Sequence, residues 1–444
     1  MVVKWWHDRG VRFALPLALT LCALPVTAQA PPAAIAQPAN DAAAVLLQSR
    51  AEDAMQVFNK AKSAAEVFSP DFLKAVPPAQ LAEIGQSLHA QFGPILGVGE
   101  LERISPVTAK FNFHFAKAMA RVQLRIDPET TMITGLLITD LVPLDDSPQA
   151  VIADFAALHG KAGFTITRLG AAGREEVLGH KSDQQFAIGS AFKLWVLDAL
   201  AHDIALGKRK WSDVVPLSAR SLPSGVMQGW PQGTPVTLAT LATQMISISD
   251  NTATDMLIKV LGREAIAARV RATGHSMPSR MLPMLSTLEA FSLKLGPAAR
   301  REAYAAAGDD QQLAMLQRFG PGLSVDAIDL GQLVPDKIWH IETIEWFASP
   351  RDVAGVLQSL QRRKDPRVMQ ILSVNSGIGT DVAAKFTRFG FKGGSEEGVL
   401  NLSWVVQNKA GQWYAISASW NDPERPVDQM PFLALTRRLL ERVK

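Results

Sequence analysis

Within residues 148–444, strand-like alternation sits at both ends and helix-like periodicity fills the middle, and this restricts the fold more than any other feature. Near the start, two alternating runs flank 170–173 as the arms of a hairpin. Near the end, strands are expected around Phe391 and over 400–406 and 413–419. Helices are expected at 150–158 and 430–443. Termini that both supply strands around a helical centre imply one sheet assembled from the two ends of an α+β domain.

Ahead of it, 43–147 reads as a separate small α+β domain. Helical patterns cover 43–58 and 79–92, Phe111, Phe113 and Phe115 alternate with polar neighbours, and Val122, Leu124 and Ile126 repeat the alternation. Asp127-Pro128-Glu129 supplies a turn before an apolar run at 132–138. The boundary is placed at Asp145-Asp146-Ser147-Pro148, which breaks the pattern. With 444 residues, 48% of them hydrophobic, the chain has enough apolar material for two cores.

The first 30 residues have the form of a cleavable export signal: Lys4, Arg9 and Arg12, an apolar stretch over 13–26, then Ala28-Gln29-Ala30. The stretch is shorter than the ~20 residues that span a bilayer, so a periplasmic or secreted protein without a membrane anchor is expected. Residues 31–42, rich in Ala and Pro, read as a flexible lead. Cys22, the only cysteine, falls within the signal, so the mature chain is left with no thiol for disulfides, nucleophilic catalysis or metal binding. No cofactor or metal is implied. Lys and Arg (45) nearly balance Asp and Glu (42), which argues against nucleic acid as a partner.

Ser190 precedes an amphipathic run, Phe192, Trp195, Val196, Leu200 and Ile204, that ends at Gly207; this puts the serine at a helix N-terminus with Lys193 one turn on, on the same face. Serine needs a base to become a nucleophile, and lysine can be one only if burial or a neighbouring cation lowers its pKa from about 10.4. Lys392 is a candidate for that cation. Ser249-Asp250-Asn251 lies between two helical patterns, 236–246 and 252–261, in a loop able to reach a cleft. Lys392-Gly393-Gly394-Ser395 lies on a strand whose glycines allow close backbone approach. Each motif alone has a bland counterpart, a capped helix or a solvated lysine. Their order and separation, with Ser249 59 residues and Lys392 202 residues beyond Ser190, make the set specific.

These elements resemble the active-site set of the class A β-lactamase and penicillin-binding-protein superfamily, with Lys-Gly-Gly in place of Lys-Thr/Ser-Gly. The resemblance implies a β-lactamase/transpeptidase-like fold and a serine hydrolase working through an acyl-enzyme on a small-molecule or peptide-like acyl substrate. By it, Ser190 is the nucleophile, Lys193 its base, Ser249 a proton relay, Asn251 a substrate anchor and Lys392 an electrostatic stabiliser. Gly393, Gly394 and Ser395 line the substrate, with the Ser190 and Ser395 N–H groups as oxyanion hole. The two-domain arrangement also resembles the serine hydrolases associated with clavulanic acid gene clusters, whose front domain is cone-shaped and isomerase-like.

Two departures bear on chemistry. Class A enzymes release the acyl group with a glutamate and an asparagine on an omega-shaped loop; the matching stretch, 280–289, has Glu289 as its only carboxylate and Leu293 four residues on. Glu289 is either a displaced deacylating base or an exposed helix charge. Asn401, Leu402 and Ser403 stand where an arginine would hold a substrate carboxylate. Together they imply weak deacylation of penicillins or an unusual substrate, such as that of a D-alanyl carboxypeptidase or esterase; a cleft that binds without hydrolysing is the alternative. An insertion at 296–345 is expected to reshape the cleft.

Overall fold

The computed structural model describes residues 38–222, 224–328 and 337–444, which form two compact units parting between Ser147 and Pro148. The expected export signal lies outside the described residues, as does the expected lead up to residue 37.

The first unit opens with the helix Pro38–Phe58, five residues before the expected start. Part of the supposed lead is therefore helix: alanine is the strongest helix former, and the fixed φ of Pro38 suits a first turn. Leu47, Ala51, Ala54 and Phe58 recur at helical spacing and are buried with the inner faces of an antiparallel sheet, β1 (Ile95–Val98), β2 (Glu102–Ser105), β3 (Thr108–Phe115), β4 (Ala118–Ile126) and β5 (Ile133–Pro143). Phe58 meets Phe113 edge-on at 6.1 Å. The alternating phenylalanines of β3 all point inward, as their period of two requires.

The second unit is built on β6 (Lys161–Gly170), β7 (Gly173–His180), β12 (Arg388–Glu396), β13 (Val399–Gln407) and β14 (Trp413–Asn421), in the spatial order β12-β13-β14-β6-β7. Short antiparallel pairs, β8 (Phe186–Ala187) with β11 (Phe347–Ala348) and β9 (Val214–Pro216) with β10 (Pro235–Thr237), complete the strands. β6 and β14 pair along their whole lengths, Lys161 opposite Asn421 and Leu169 opposite Trp413, so the sheet is closed from the two ends of the unit. One face is covered by the helices Pro148–Ala157 and Gln429–Glu441, through Val151, Phe155, Phe432, Leu435 and Leu439.

The other face carries the helical half, centred on the helix Lys193–Ala205, whose residues 193–201 are all buried. A helix buried all round has to sit at the middle of a core, and each large apolar side chain there contributes roughly 2–3 kcal/mol. The helix expected from residue 236 starts at Leu238, because Pro235–Thr237 pairs as β10 and Thr237 caps the helix by accepting from the Thr240 N–H at 3.0 Å. Two helices of the insertion, Ala298–Ala306 and Asp309–Phe319, bury Tyr304 and Leu316 in this same core.

Candidate active site

Ser190 sits in a single 3-10 turn, Gly189–Phe192, that runs directly into the helix Lys193–Ala205. Two contacts fix the turn from behind. Phe192 stacks on Trp346 at 3.9 Å, and the Ile188 N–H donates to the Trp346 carbonyl at 3.0 Å. In front lies β12. A methyl group on Gly394 would stand 2.0 Å from the Ile188 oxygen and 2.6 Å from the Ser190 nitrogen, and one on Gly189 would stand 3.1 Å from the Ser395 nitrogen. Only glycines let the two backbones come this close, and Gly189 also takes a φ of +48°. The backbone of β12 at Gly394–Ser395 is thereby packed directly against the backbone of the serine turn.

Gly393 has a different reason. A methyl group there would lie 2.8 Å from the Phe391 ring, which also fills the space beside Gly377. The departure from Lys-Thr/Ser-Gly follows from this ring, which occupies the space a larger residue would need.

Lys193 is wholly buried, and its Nζ donates to the Ser249 carbonyl at 2.7 Å, the Ser249 Oγ at 3.0 Å and the Asn251 Oδ1 at 2.7 Å. From the strand side, the buried Lys392 Nζ donates to the same Ser249 Oγ at 3.0 Å. Burial lowers Lys193 to about 7, against the opposing pull of Asp255 and Asp250. Lys392 is pushed well below its ordinary value, first by burial and then by the charge of Lys193. Of the two causes the sequence left open, burial and a neighbouring cation, it is burial that lowers Lys193. Lys193 retains a neutral form near pH 7, and the Ser249 hydroxyl lies 3.0 Å from both amines.

Asp250 organises this loop, a part the sequence reading left without a role. It caps the helix Asn251–Leu261, accepting from the Ala253 N–H at 2.8 Å, and also accepts from the Val226 and Met227 N–H groups at 2.7 and 2.8 Å. Gly225, at φ +94°, is needed because a Cβ would fall 2.1 Å from the carboxylate. Thus anchored, Ser249 is held at φ +59°, a strained conformation for a non-glycine residue of the kind that accumulates at functional sites. Asn251 is buried, with Nδ2 donating to the Leu222 carbonyl at 3.0 Å and Oδ1 on Lys193. These two contacts orient the lysine against the loop.

Beneath the serine turn, on the face of the sheet that Lys392 and Gly394 share, Asn401 and Ser403 stand opposite them in β13. They form a buried polar network with Ser417 and Ser419: Asn401 Nδ2 donates to Ser419 Oγ at 2.9 Å and Ser403 Oγ to Asn401 Oδ1 at 2.7 Å. Fully satisfied, such a network rigidifies what lies on it. These residues replace the expected arginine with a neutral support.

Glu289 is neither a free base nor an exposed charge. It is buried, its Oε2 accepts from the Ser286 N–H at 2.8 Å in a capping box, and its Oε1 pairs with Arg263. The loop before it packs Leu282, Met284 and Leu285 inward. The helix Thr287–Lys294 is tied down by the buried Asp255, which accepts from the Thr287 and Leu288 N–H groups at 2.7 and 3.0 Å. Asp255 lies one turn after Asn251 on the same helix, the only sequence signal that could have pointed to it. Among the described residues, no group of three or more His, Cys, Asp or Glu side chains is placed to hold a metal ion, and no helix is long and apolar enough to cross a membrane.

No curated protein matches the chain by sequence. Among solved structures, the chain is similar to a beta-lactamase from Sphaerobacter thermophilus (21% identity, 67% of this chain and 95% of that one, TM-score 0.46). It is also similar to one from Chitinophaga pinensis (14%, 68% and 100%, TM-score 0.46) and to the L158E mutant of PBP-A, an acyl-enzyme complex with penicillin G (16%, 66% and 95%, TM-score 0.45). Residues 143–442, two-thirds of the chain, match the beta-lactamase enzyme family. The chain therefore belongs to that family: it has the β-lactamase/transpeptidase-like fold and is a serine hydrolase of the acyl-enzyme type.

Proposed function

We propose that this chain is an exported hydrolase whose Ser190 is acylated by a β-lactam or a related amide or ester, and whose acyl-enzyme is released slowly. The observation that carries the reading is the bridge Lys193–Ser249–Lys392 beside the Ser190 turn. Neutral Lys193 takes the Ser190 hydroxyl proton as Oγ attacks the carbonyl; the Ser190 and Ser395 N–H groups hold the oxyanion. The C–N or C–O bond then breaks, and the proton passes through Ser249 to the leaving atom. Lys392 stabilises the developing negative charge. Export rests on the pattern of residues 1–30.

Slow release is supported by Glu289, the only carboxylate of the 280–289 loop, whose two oxygens are engaged by Ser286 and Arg263. This favours a penicillin-binding protein, of the D-alanyl carboxypeptidase kind, over an efficient β-lactamase. Intact-mass spectrometry over time after mixing with penicillin G tests the reading. An adduct of the antibiotic's mass that persists for minutes supports it. Rapid turnover with no accumulation would contradict slow release, and ligand binding with no adduct from any acyl probe would point to a non-hydrolytic binder.

A further inference from the structure

We propose that Lys294, Glu345 and Glu396 form a positioning latch that ties the feet of the 296–345 insertion to the end of β12 and so holds the Ser395 N–H against the Ser190 turn. The latch rests on the acyl-enzyme reading above. Side chains of a strand alternate, so Lys392, Gly394 and Glu396 share one face of β12. Lys392 on that face reaches Ser249, and Gly394 touches the Ser190 turn. Glu396 continues the row, one residue past Ser395.

Lys294 ends the helix Thr287–Lys294 and is buried; its Nζ donates to Glu345 Oε1 at 2.7 Å and Glu396 Oε2 at 2.7 Å. Glu345 Oε2 in turn accepts from the Trp346 N–H at 3.1 Å, and Trp346 is the residue that both stacks on Phe192 and accepts from the Ile188 N–H. One ammonium thus joins the segment entering the insertion, the segment leaving it and the strand beside the serine. Arg301, inside the insertion, donates to the Lys294 and Gly296 carbonyls at 3.3 and 3.2 Å.

A single ammonium cannot neutralise two carboxylates in a buried site. Burial, with the charge of Glu345 adding to it and Lys294 opposing it, raises Glu396 to about 8. Lys294 is held above its ordinary value because the two carboxylates outweigh its own desolvation. Among the described residues, Lys294 and Glu345 are the charged groups that act on Glu396. His340, which senses Lys294, is pushed down by burial and is neutral in this range. Glu396 keeps 23% of its side chain exposed, so its proton exchanges with solvent. At neutral pH Glu396 keeps its proton, which relieves the surplus of negative charge beside Lys294. Above about 8 the shared proton leaves, the carboxylates repel, and the end of β12 moves off the serine turn.

The test uses the full chain labelled with 5-fluorotryptophan, the Trp346 resonance being assigned with Trp346→Phe. Between pH 7 and 10 the rate of labelling by a fluorescent penicillin should fall about ten-fold per unit above the transition, as loss of one proton dictates. The Trp346 fluorine shift should titrate over the same range. In Glu396→Gln, which cannot ionise, the Trp346 shift should stay flat and labelling should finish its rise of about two-fold to the plateau without the fall. A native Trp346 that does not titrate, or a variant that titrates like the native chain, overturns the latch. If no labelling occurs at any pH while the native shift titrates and the Gln variant does not, the nucleophile reading fails and the latch stands. Lys294→Met should open the latch at neutral pH; should that variant not fold, the Glu396→Gln comparison remains decisive.

Discussion

Lys193 and Lys392 approach a single hydroxyl, the Ser249 Oγ, at 3.0 Å each. Both amines are buried, and desolvation lowers Lys193 to about 7, while Lys392 is lowered by its own burial and then by the charge of Lys193. Because the neutral amine is the base, acylation should rise with pH through about 7, with the rate at pH 6 about one-tenth of the plateau. Stopped-flow acylation between pH 5 and 7.5 measures this limb. Lys193→Met should lose roughly 10³-fold or more; a variant retaining the native rate and rise would assign the base elsewhere.

The two glycines of β12 should respond differently to the same methyl group. Gly394→Ala drives a Cβ into backbone atoms of the serine turn and should slow acylation at least about 100-fold, on the scale of losing an oxyanion donor. Gly393→Ala meets a ring that can move, so its loss should be smaller and recoverable by Phe391→Leu. Comparable losses from both substitutions would contradict the packing account.

Glu289 should matter for stability and not for release. Glu289→Ala removes the reciprocal half of a capping box and leaves Arg263 without its carboxylate, at a cost of roughly 1–3 kcal/mol in unfolding free energy. The acyl-enzyme lifetime should change by less than about three-fold. A stable variant with a greatly lengthened lifetime would restore Glu289 as a base.

Asp255→Ala should unfasten the helix Thr287–Lys294 by removing the acceptor of two of its first N–H groups. Hydrogen exchange over 286–289 should accelerate first, with roughly 2–4 kcal/mol lost overall. Unchanged protection there would show the helix is held by its apolar side alone.

Much of this was legible in the sequence, for identifiable reasons. That one sheet joins the two ends of the unit, as β6 and β14 do, follows from strand patterns at both ends with helical patterns between them. Ser190, Lys193, Ser249 and Lys392 stood out through order and spacing, and the structure brings the two lysines together at Ser249. Asp250, Asp255, Glu345 and Trp346 did not stand out, because the distant partners that give them a role, Met227, Thr287, Lys294 and Ile188 in turn, lie 23 to 158 residues away, and no local pattern reports such contacts. Residues 38–42 and 235–237 were misread where alanine propensity and strand pairing competed with the apparent loop and helix signals.

The central claim, that Ser190 takes the acyl group with Lys193 as base, is tested most directly by peptide mapping of the adduct formed with a penicillin. The account predicts a single modified peptide carrying the acyl group on Ser190, absent in Ser190→Ala and strongly reduced in Lys193→Met. An adduct on another residue, or one that persists in Ser190→Ala, would contradict it.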